Sequence, residues 1–153
     1  MTTQLKKHQD TDFRPRIVGF ICNWDAYSGL EMAGVNRKEY PASVTLVRVM
    51  CLGRINLGLI LKAFELGADG VMLVGCPPEE CGYESGMTGA KELFAQARRL
   101  LNLLGIDQRR LALLEVPLGR GDLLAKQVST FVRRVGRISS SLPQSRAKAA
   151  HLA

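Results

Sequence analysis

Four cysteines are the residues of this sequence that are best suited to chemistry. They are Cys22, Cys51, Cys76 and Cys81, and the 153 residues of the chain contain no other cysteine. The first three each end a short apolar run, and the fourth follows the third after the loop Pro-Pro-Glu-Glu. Thiolates hold iron in iron–sulfur clusters and zinc in structural sites, and both kinds of site commonly use four of them.

The cysteines follow predicted β-strands that alternate with predicted helices. Four apolar runs are predicted strands, and they cover residues 16–22, 43–51, 69–76 and 110–116. Short, continuously apolar runs are typical of strands that are buried on both faces of a parallel sheet. Alternation of strand and helix predicts right-handed crossovers. We therefore expect a small flavodoxin-like or Rossmann-like three-layer α/β domain, in which a four-stranded parallel sheet has helices on both faces.

The segments between the strands have the spacing of amphipathic helices. Residues 56–66 and 90–104 each place their apolar side chains on one face, which predicts two helices. Gly67 follows the first of these as a stop signal. Asp122 is the predicted cap of a last helix, and residues 26–34 are predicted to form a short one.

A parallel sheet would bring the four cysteines to one place. The carboxyl ends of its strands all lie at the same edge, where such folds bind ligands. Sequence separations of 29, 25 and 5 residues between successive cysteines would then collapse into one site. A buried apolar role is the simpler explanation for any single cysteine. Four thiols at a shared edge favour a metal centre, and their spacing leaves both iron–sulfur and zinc open.

Charge is distributed unevenly along the chain. The net charge is +7, of which residues 98–153 contribute +8, with eleven Lys or Arg and three Asp or Glu. Such a segment is suited to RNA, an anionic membrane or an acidic protein. Phe131 is its only aromatic residue and falls on an apolar helix stripe, so base stacking on nucleic acid is not indicated. The charge therefore predicts a solvated helix face that docks on a partner subunit.

At the cysteines the sequence resembles the delta subunit of methyl-viologen-reducing hydrogenase, a small iron–sulfur subunit that is associated with heterodisulfide reductases. The matching stretches are FICNWDAYSGLEMAGVNRKEYP, VRVMCLGRINLGLILKAFELGADGVMLVGCPPEECGY and, more loosely, ESGMTGAKELFAQARRLLNLLGI. The resemblance implies a subunit that carries a [2Fe–2S] cluster. It implies an electron relay between a hydrogenase or dehydrogenase subunit and a flavin-containing, heterodisulfide-reductase-like subunit, in complexes that can perform electron bifurcation. The relay protein itself would have no substrate chemistry.

The resemblance also implies which residues bind the cluster, with one departure. The first motif of the family usually reads Cys-Asn-Trp-Cys, whereas this sequence has Cys22-Asn23-Trp24-Asp25. The family pattern has five cysteines for four ligand positions, so the four that remain here still make a complete set. Asp25 is a candidate substitute ligand through a carboxylate oxygen. The expected cluster ligands are Cys22, Cys51, Cys76 and Cys81.

Composition predicts a single domain without a membrane segment. A hydrophobic content of 46% is sufficient for one core, and no apolar run approaches the length that spans a bilayer. Residues 14–138 are the predicted α/β iron–sulfur domain, and residues 1–13 and 139–153 are predicted to be mobile. The first residues lack the pattern of a secretory signal, which predicts a cytoplasmic protein with reduced cysteines.

Two other classes of function remain open from the residues alone. A zinc-stabilised adaptor without a redox role would use the same four thiols. A flavin or nucleotide carrier would need a phosphate-binding loop after the first strand, where the stretch CNWDAYSG offers only Ser28 and Gly29. The sequence has no Walker A loop, zinc-protease helix or Ser/His/Asp arrangement, so we assign no catalytic residue.

Overall fold

A four-stranded parallel sheet lies at the centre of the computed structural model, which describes residues 13–140. The strands are β1 (Ile17–Cys22), β2 (Val44–Val49), β3 (Gly70–Gly75) and β4 (Leu111–Glu115). Their order in the sheet is β2-β1-β3-β4, and every neighbouring pair is parallel. The four predicted strands and their parallel arrangement are confirmed.

Helices cover both faces of this sheet. They are α1 (Asp25–Val35), α2 (Leu57–Glu65), α3 (Gly86–Leu103) and α4 (Gly121–Ser140). Helix α1 packs against α4, and α2 packs against α3. From β1 the chain crosses to β2 on one side, and from β2 it crosses back past β1 to β3 on the other side. Because both crossovers are right-handed, α1 and α2 lie on opposite faces of the sheet. The expected three-layer α/β domain is confirmed. Between residues 13 and 140, no helix combines the length and the apolar character that a bilayer crossing requires.

The core lies around β3, and β2 departs from the expectation. Every residue of β3 is buried, because β1 and β4 flank it and helices cover both of its faces. Strand β2 stands at an edge, and its residues are only half-buried or exposed. The expectation that all four runs are buried on both faces is therefore wrong for β2 and for the second half of the other edge strand, β4, since an edge strand lacks a neighbour on one side.

The helix ends agree in part with the sequence signals. Gly67 follows helix α2 with a φ of +92°, a left-handed conformation that glycine adopts without strain. Helix α3 begins at Gly86, earlier than the predicted start. Asp122 lies within the first turn of α4, which begins one residue before it, and therefore does not cap the helix from outside.

The predicted terminal segments fall mostly beyond the described residues. Helix α4 continues to Ser140, past the predicted domain boundary at 138. Of the segments predicted to be mobile, 1–13 and 139–153, only residues 13, 139 and 140 belong to the part of the chain that the structure describes.

Helix α4 crosses helix α1 at Gly121, and this contact leaves no room for a side chain. A Cβ atom at Gly121 would overlap the backbone of Ala33. We expect Gly121→Ala to lower the free energy of unfolding by about 1–3 kcal/mol, the usual cost of overpacking. Thermal or urea denaturation measures the change.

Gly34→Ala in helix α1 is the matched control. A Cβ atom at Gly34 meets nothing within 4 Å, so alanine should stabilise the protein by roughly 0.5–1 kcal/mol through its higher helix propensity. If Gly121→Ala proved as stable as Gly34→Ala, the close crossing of α1 and α4 would be wrong.

Candidate metal centre

Loops at the carboxyl edge of the sheet bring all four cysteines around one small cavity. Cys22 ends β1, Cys76 directly follows β3, and Cys51 lies just beyond β2. Cys81 follows the short 3₁₀ turn Pro78–Glu80. The cavity that these residues line has a volume of about 10 Å³. Strands β1 and β3, where the order of the sheet reverses, flank the site, which is where open α/β sheets bind ligands.

Cys22 and Cys76 form a first pair of thiols on neighbouring strands. Their Sγ atoms are 3.5 Å apart, and both side chains are buried. The two residues are not joined by a disulfide. Two thiolates bound to one tetrahedral metal at about 2.3 Å each would lie about 3.8 Å apart. The observed distance is therefore close to that expected for a shared metal.

Cys51 and Cys81 form a second pair on either side of Gly86. A Cβ atom at Gly86 would lie 2.7 Å from Cys81 Sγ and 2.9 Å from Cys51 Sγ. Real Cβ atoms essentially never come this close to another heavy atom. Only glycine therefore leaves room for both sulfurs at the start of α3.

The surroundings of the thiols favour their neutral form when no metal is bound. Burial raises the pKa of the Cys76 thiol to about 12, and the nearby Cys22 contributes to this rise. Burial also raises the pKa of Cys51, and Cys81 and Cys22 raise it further. Backbone hydrogen bonds from Asp25 to Cys76 and from Gly53 to Cys51 act in the opposite direction. A bound cation would stabilise the thiolates, and binding would release protons.

Asp25, the candidate substitute ligand, lies beside the first pair. It is the first residue of α1, and its carboxyl group hydrogen-bonds to Cys76 and faces Glu80. Burial and the charge of Glu80 raise the pKa of Asp25. The N-terminus of α1, where a phosphate would bind in a nucleotide carrier, is thus directed at a thiol. This placement disfavours the flavin or nucleotide carrier.

The four thiols around this cavity make two close contacts, one between Cys22 and Cys76 and one between Cys51 and Cys81. Within residues 13–140, no group of three or more His, Cys, Asp or Glu side chains is arranged to hold a metal ion as it stands. A zinc ion would need all four thiolates around one centre. The two irons of a [2Fe–2S] cluster together need four terminal ligands, two on each. The two close thiol contacts are compatible with the two pairs of terminal ligands that such a cluster requires.

Two apolar side chains without a predicted role close the inner side of the site. A Cβ atom at Gly75 would lie 2.6 Å from Leu52 and 2.7 Å from Met87, and both of these side chains are buried. They line the cavity together with the cysteines. In the sequence, only their positions indicate a place at the site: Leu52 directly follows Cys51, and Met87 directly follows Gly86. Leucine and methionine are common throughout protein cores, so their residue types alone do not indicate a place at the site.

Comparison with known proteins identifies the family to which the chain is similar. The chain matches the family model for the delta subunit of methyl-viologen-reducing hydrogenase over residues 17–139. It is 46% identical over 99 residues to the vhc iron–sulfur subunit of the F420-non-reducing hydrogenase of Methanococcus voltae, covering 65% of this chain and 69% of the relative. It is 36% identical over 124 residues to the vhu iron–sulfur subunit of the same type of hydrogenase from Methanocaldococcus jannaschii, covering 81% and 92%.

One further relative is much longer. The chain is 34% identical over 131 residues to one subunit of the ferredoxin:CoB-CoM heterodisulfide reductase of Methanosarcina mazei. The match covers 84% of this chain and 16% of the relative, so the chain spans only a small part of that protein. The family match includes all four strands and all four cysteines. The resemblance seen in the sequence is therefore confirmed, and the chain belongs to the family of the delta subunit of methyl-viologen-reducing hydrogenase.

Proposed function

We propose that the chain is an electron-transfer subunit that holds one [2Fe–2S] cluster. Its ligands would be Cys22, Cys51, Cys76 and Cys81. The observation that most supports this function is the meeting of two thiol pairs at one edge of the sheet. Relatives named iron–sulfur subunits support an iron–sulfur centre in general, and the two close thiol contacts are compatible with the two-iron type. When bound, the cluster supplies reversible one-electron chemistry.

The surrounding residues have separate roles in this proposal. The backbone N–H groups of Asp25 and Gly53 donate to the sulfurs of Cys76 and Cys51, which raises the reduction potential. The carboxylates of Asp25 and Glu80 act in the opposite direction by adding negative charge. Leu52 and Met87 exclude water from the inner side of the site. The balance between donors and carboxylates sets the potential.

The proposed partners are a flavin-containing, heterodisulfide-reductase-like subunit, together with a hydrogenase or dehydrogenase subunit. Several relatives are named as hydrogenase subunits. In the Methanosarcina mazei protein, the matching stretch is a small part of one long heterodisulfide reductase chain. A stretch that is fused to a larger chain in one protein and separate in another is expected to bind the counterpart of that larger chain. Electron bifurcation in the assembled complex belongs to the same proposal.

The metal content of the purified protein tests this function. Purification without oxygen should yield a brown protein with about two irons per chain, together with the visible absorption of an iron–sulfur cluster. Absorption spectroscopy and parallel iron and zinc analysis measure this. A colourless protein that contains only zinc would replace the proposed function with the zinc-stabilised adaptor, which uses the same thiols.

Asp25→Ala tests whether the carboxylate is a ligand. We expect the variant to keep most of its iron, because four thiols already complete the ligand set. Its reduction potential should rise, since a negative charge beside Cys76 is lost. Iron analysis and a redox titration measure the two effects. Asp25→Asn is the matched control, because it removes the charge and retains the size of the side chain. Loss of iron in both variants would make Asp25 a ligand.

A further inference from the structure

Each of the four loops at the carboxyl edge presents one large, exposed apolar side chain. These belong to Trp24 after β1, Met50 after β2, Tyr83 after β3 and Leu118 after β4. Their exposed fractions are 50%, 59%, 42% and 66%, in the same order. We call these four side chains the apolar rim. Trp, Tyr and Met are enriched where proteins meet one another, so the composition of the rim is that of an interface.

The apolar rim lies beside the metal centre. The rings of Trp24 and Tyr83 are 6.4 Å apart, and Tyr83 Cβ would lie 3.2 Å from a Cβ atom at Gly86. The carbonyl of Met50 lies 4.0 Å from Cys22 Sγ. The backbone N–H of Leu118 donates to Glu80 over 3.3 Å. A protein that covers the rim would therefore also cover Cys81, the one of the four cysteines that is not fully buried.

The charges beside the apolar rim are mainly negative. Glu79, Glu80 and Glu84 are exposed there, and the carboxyl of Asp25 faces that of Glu80. Two arginines belong to these loops: Arg54 is exposed after Cys51, and Arg120 is paired with Asp122, with 2.9 Å between Nε and Oδ1. Like charges in proximity are unfavourable in the free protein, and a partner that supplies cations would relieve their repulsion.

We propose that the apolar rim docks the partner subunit that exchanges electrons with the metal centre, and that the partner offers an apolar patch surrounded by Lys and Arg. The identity of this partner as the heterodisulfide-reductase-like subunit rests on the proposed function. Apolar contacts exclude water at the centre of such an interface, while the carboxylates around it attract and orient the partner.

Exposed apolar side chains elsewhere differ from the rim. Leu103 is 82% exposed at the end of α3. Helix α3 returns the chain to the start of β4. Its last residues therefore lie near the amino ends of the strands, whereas the thiols lie at the carboxyl ends. This position serves as the control surface.

The binding test compares the same substitution at Leu118 in the apolar rim and at Leu103 at the end of α3. The purified, iron-loaded chain is titrated calorimetrically, without oxygen, with the heterodisulfide-reductase-like subunit of the same complex. Leu118→Ser should weaken binding by about 10-fold or more, because the burial of this exposed apolar side chain against the partner is lost. Leu103→Ser should change the affinity by less than about 2-fold.

Charge reversal tests the acidic part of the surface. The double variant Glu79→Lys, Glu84→Lys should weaken binding and reduce its dependence on salt, because attraction between opposite charges is replaced by repulsion. The control double variant, Glu31→Lys, Glu92→Lys, changes the net charge equally on the outer sides of α1 and α3. It should retain nearly the affinity of the unmodified chain at each salt concentration.

The iron content of every variant separates the two proposals. Weaker binding by the rim variants alone, with unchanged iron, supports docking at the apolar rim. Equal affinity of rim and control variants overturns it. So does sedimentation of the chain alone as a dimer that Leu118→Ser dissociates, because the occupant of the rim is then a second copy. A chain that never contains iron but binds through the rim would retain the docking surface and refute the electron-transfer function.

Discussion

Cys76→Ser is expected to abolish cluster binding and to yield a colourless protein. The Cys76 sulfur lies 3.5 Å from that of Cys22, and a serine hydroxyl is a poor substitute for a thiolate on iron. No fifth cysteine exists in the chain to take its place. Cys51→Ser should have the same effect through the second pair. Iron per chain and visible absorption after anaerobic purification measure the loss.

The fold of these serine variants provides the control for their loss of iron. Serine and cysteine are similar in size, and most residues of the hydrophobic core are not cysteines. We therefore expect the far-ultraviolet circular dichroism to remain that of an α/β protein. A folded Cys76→Ser protein that retains about two irons per chain would exclude Cys76 as a ligand.

Gly86→Ala is expected to remove most of the iron although all four thiols remain. The new Cβ atom would lie 2.7 Å from Cys81 Sγ and 2.9 Å from Cys51 Sγ, so both sulfurs must move away from their positions. Ligand atoms must keep their geometry to hold a metal, and a displaced pair no longer meets this condition. The measurement is iron content together with a count of free thiols in the unfolded protein.

Gly89→Ala is the matched control in the same helix. A Cβ atom there would meet only the Cα of Gly53, at 3.9 Å, which is an ordinary van der Waals contact. This variant should contain as much iron as the unmodified protein. If Gly86→Ala retained its iron as well, the pairing of Cys51 and Cys81 around Gly86 would be wrong.

The architecture of the sheet was accessible from the sequence because local patterns encode it. Continuous apolar runs mark the strands, and helical spacing between them implies parallel strands with crossovers. Burial of individual strands was less accessible. The runs at Val44–Val49 and Gly70–Gly75 are both largely apolar, yet the first lies at an edge and the second in the centre. Burial depends on the neighbours that a strand acquires in space, and the strand's own residues do not specify these neighbours.

The features of the site also divide into those that the sequence predicts and those that only the tertiary structure determines. The convergence of Cys22, Cys51 and Cys76 follows from strand order, since parallel strands end at one edge, and the sequence alone was sufficient to predict it. The division of the thiols into two pairs, the need for glycine at Gly86 and the arrangement of the apolar rim were decided by the tertiary structure. Each depends on distances between loops far apart in the chain. Such distances are fixed by packing, in which every neighbouring side chain takes part, and no local pattern of residues specifies them.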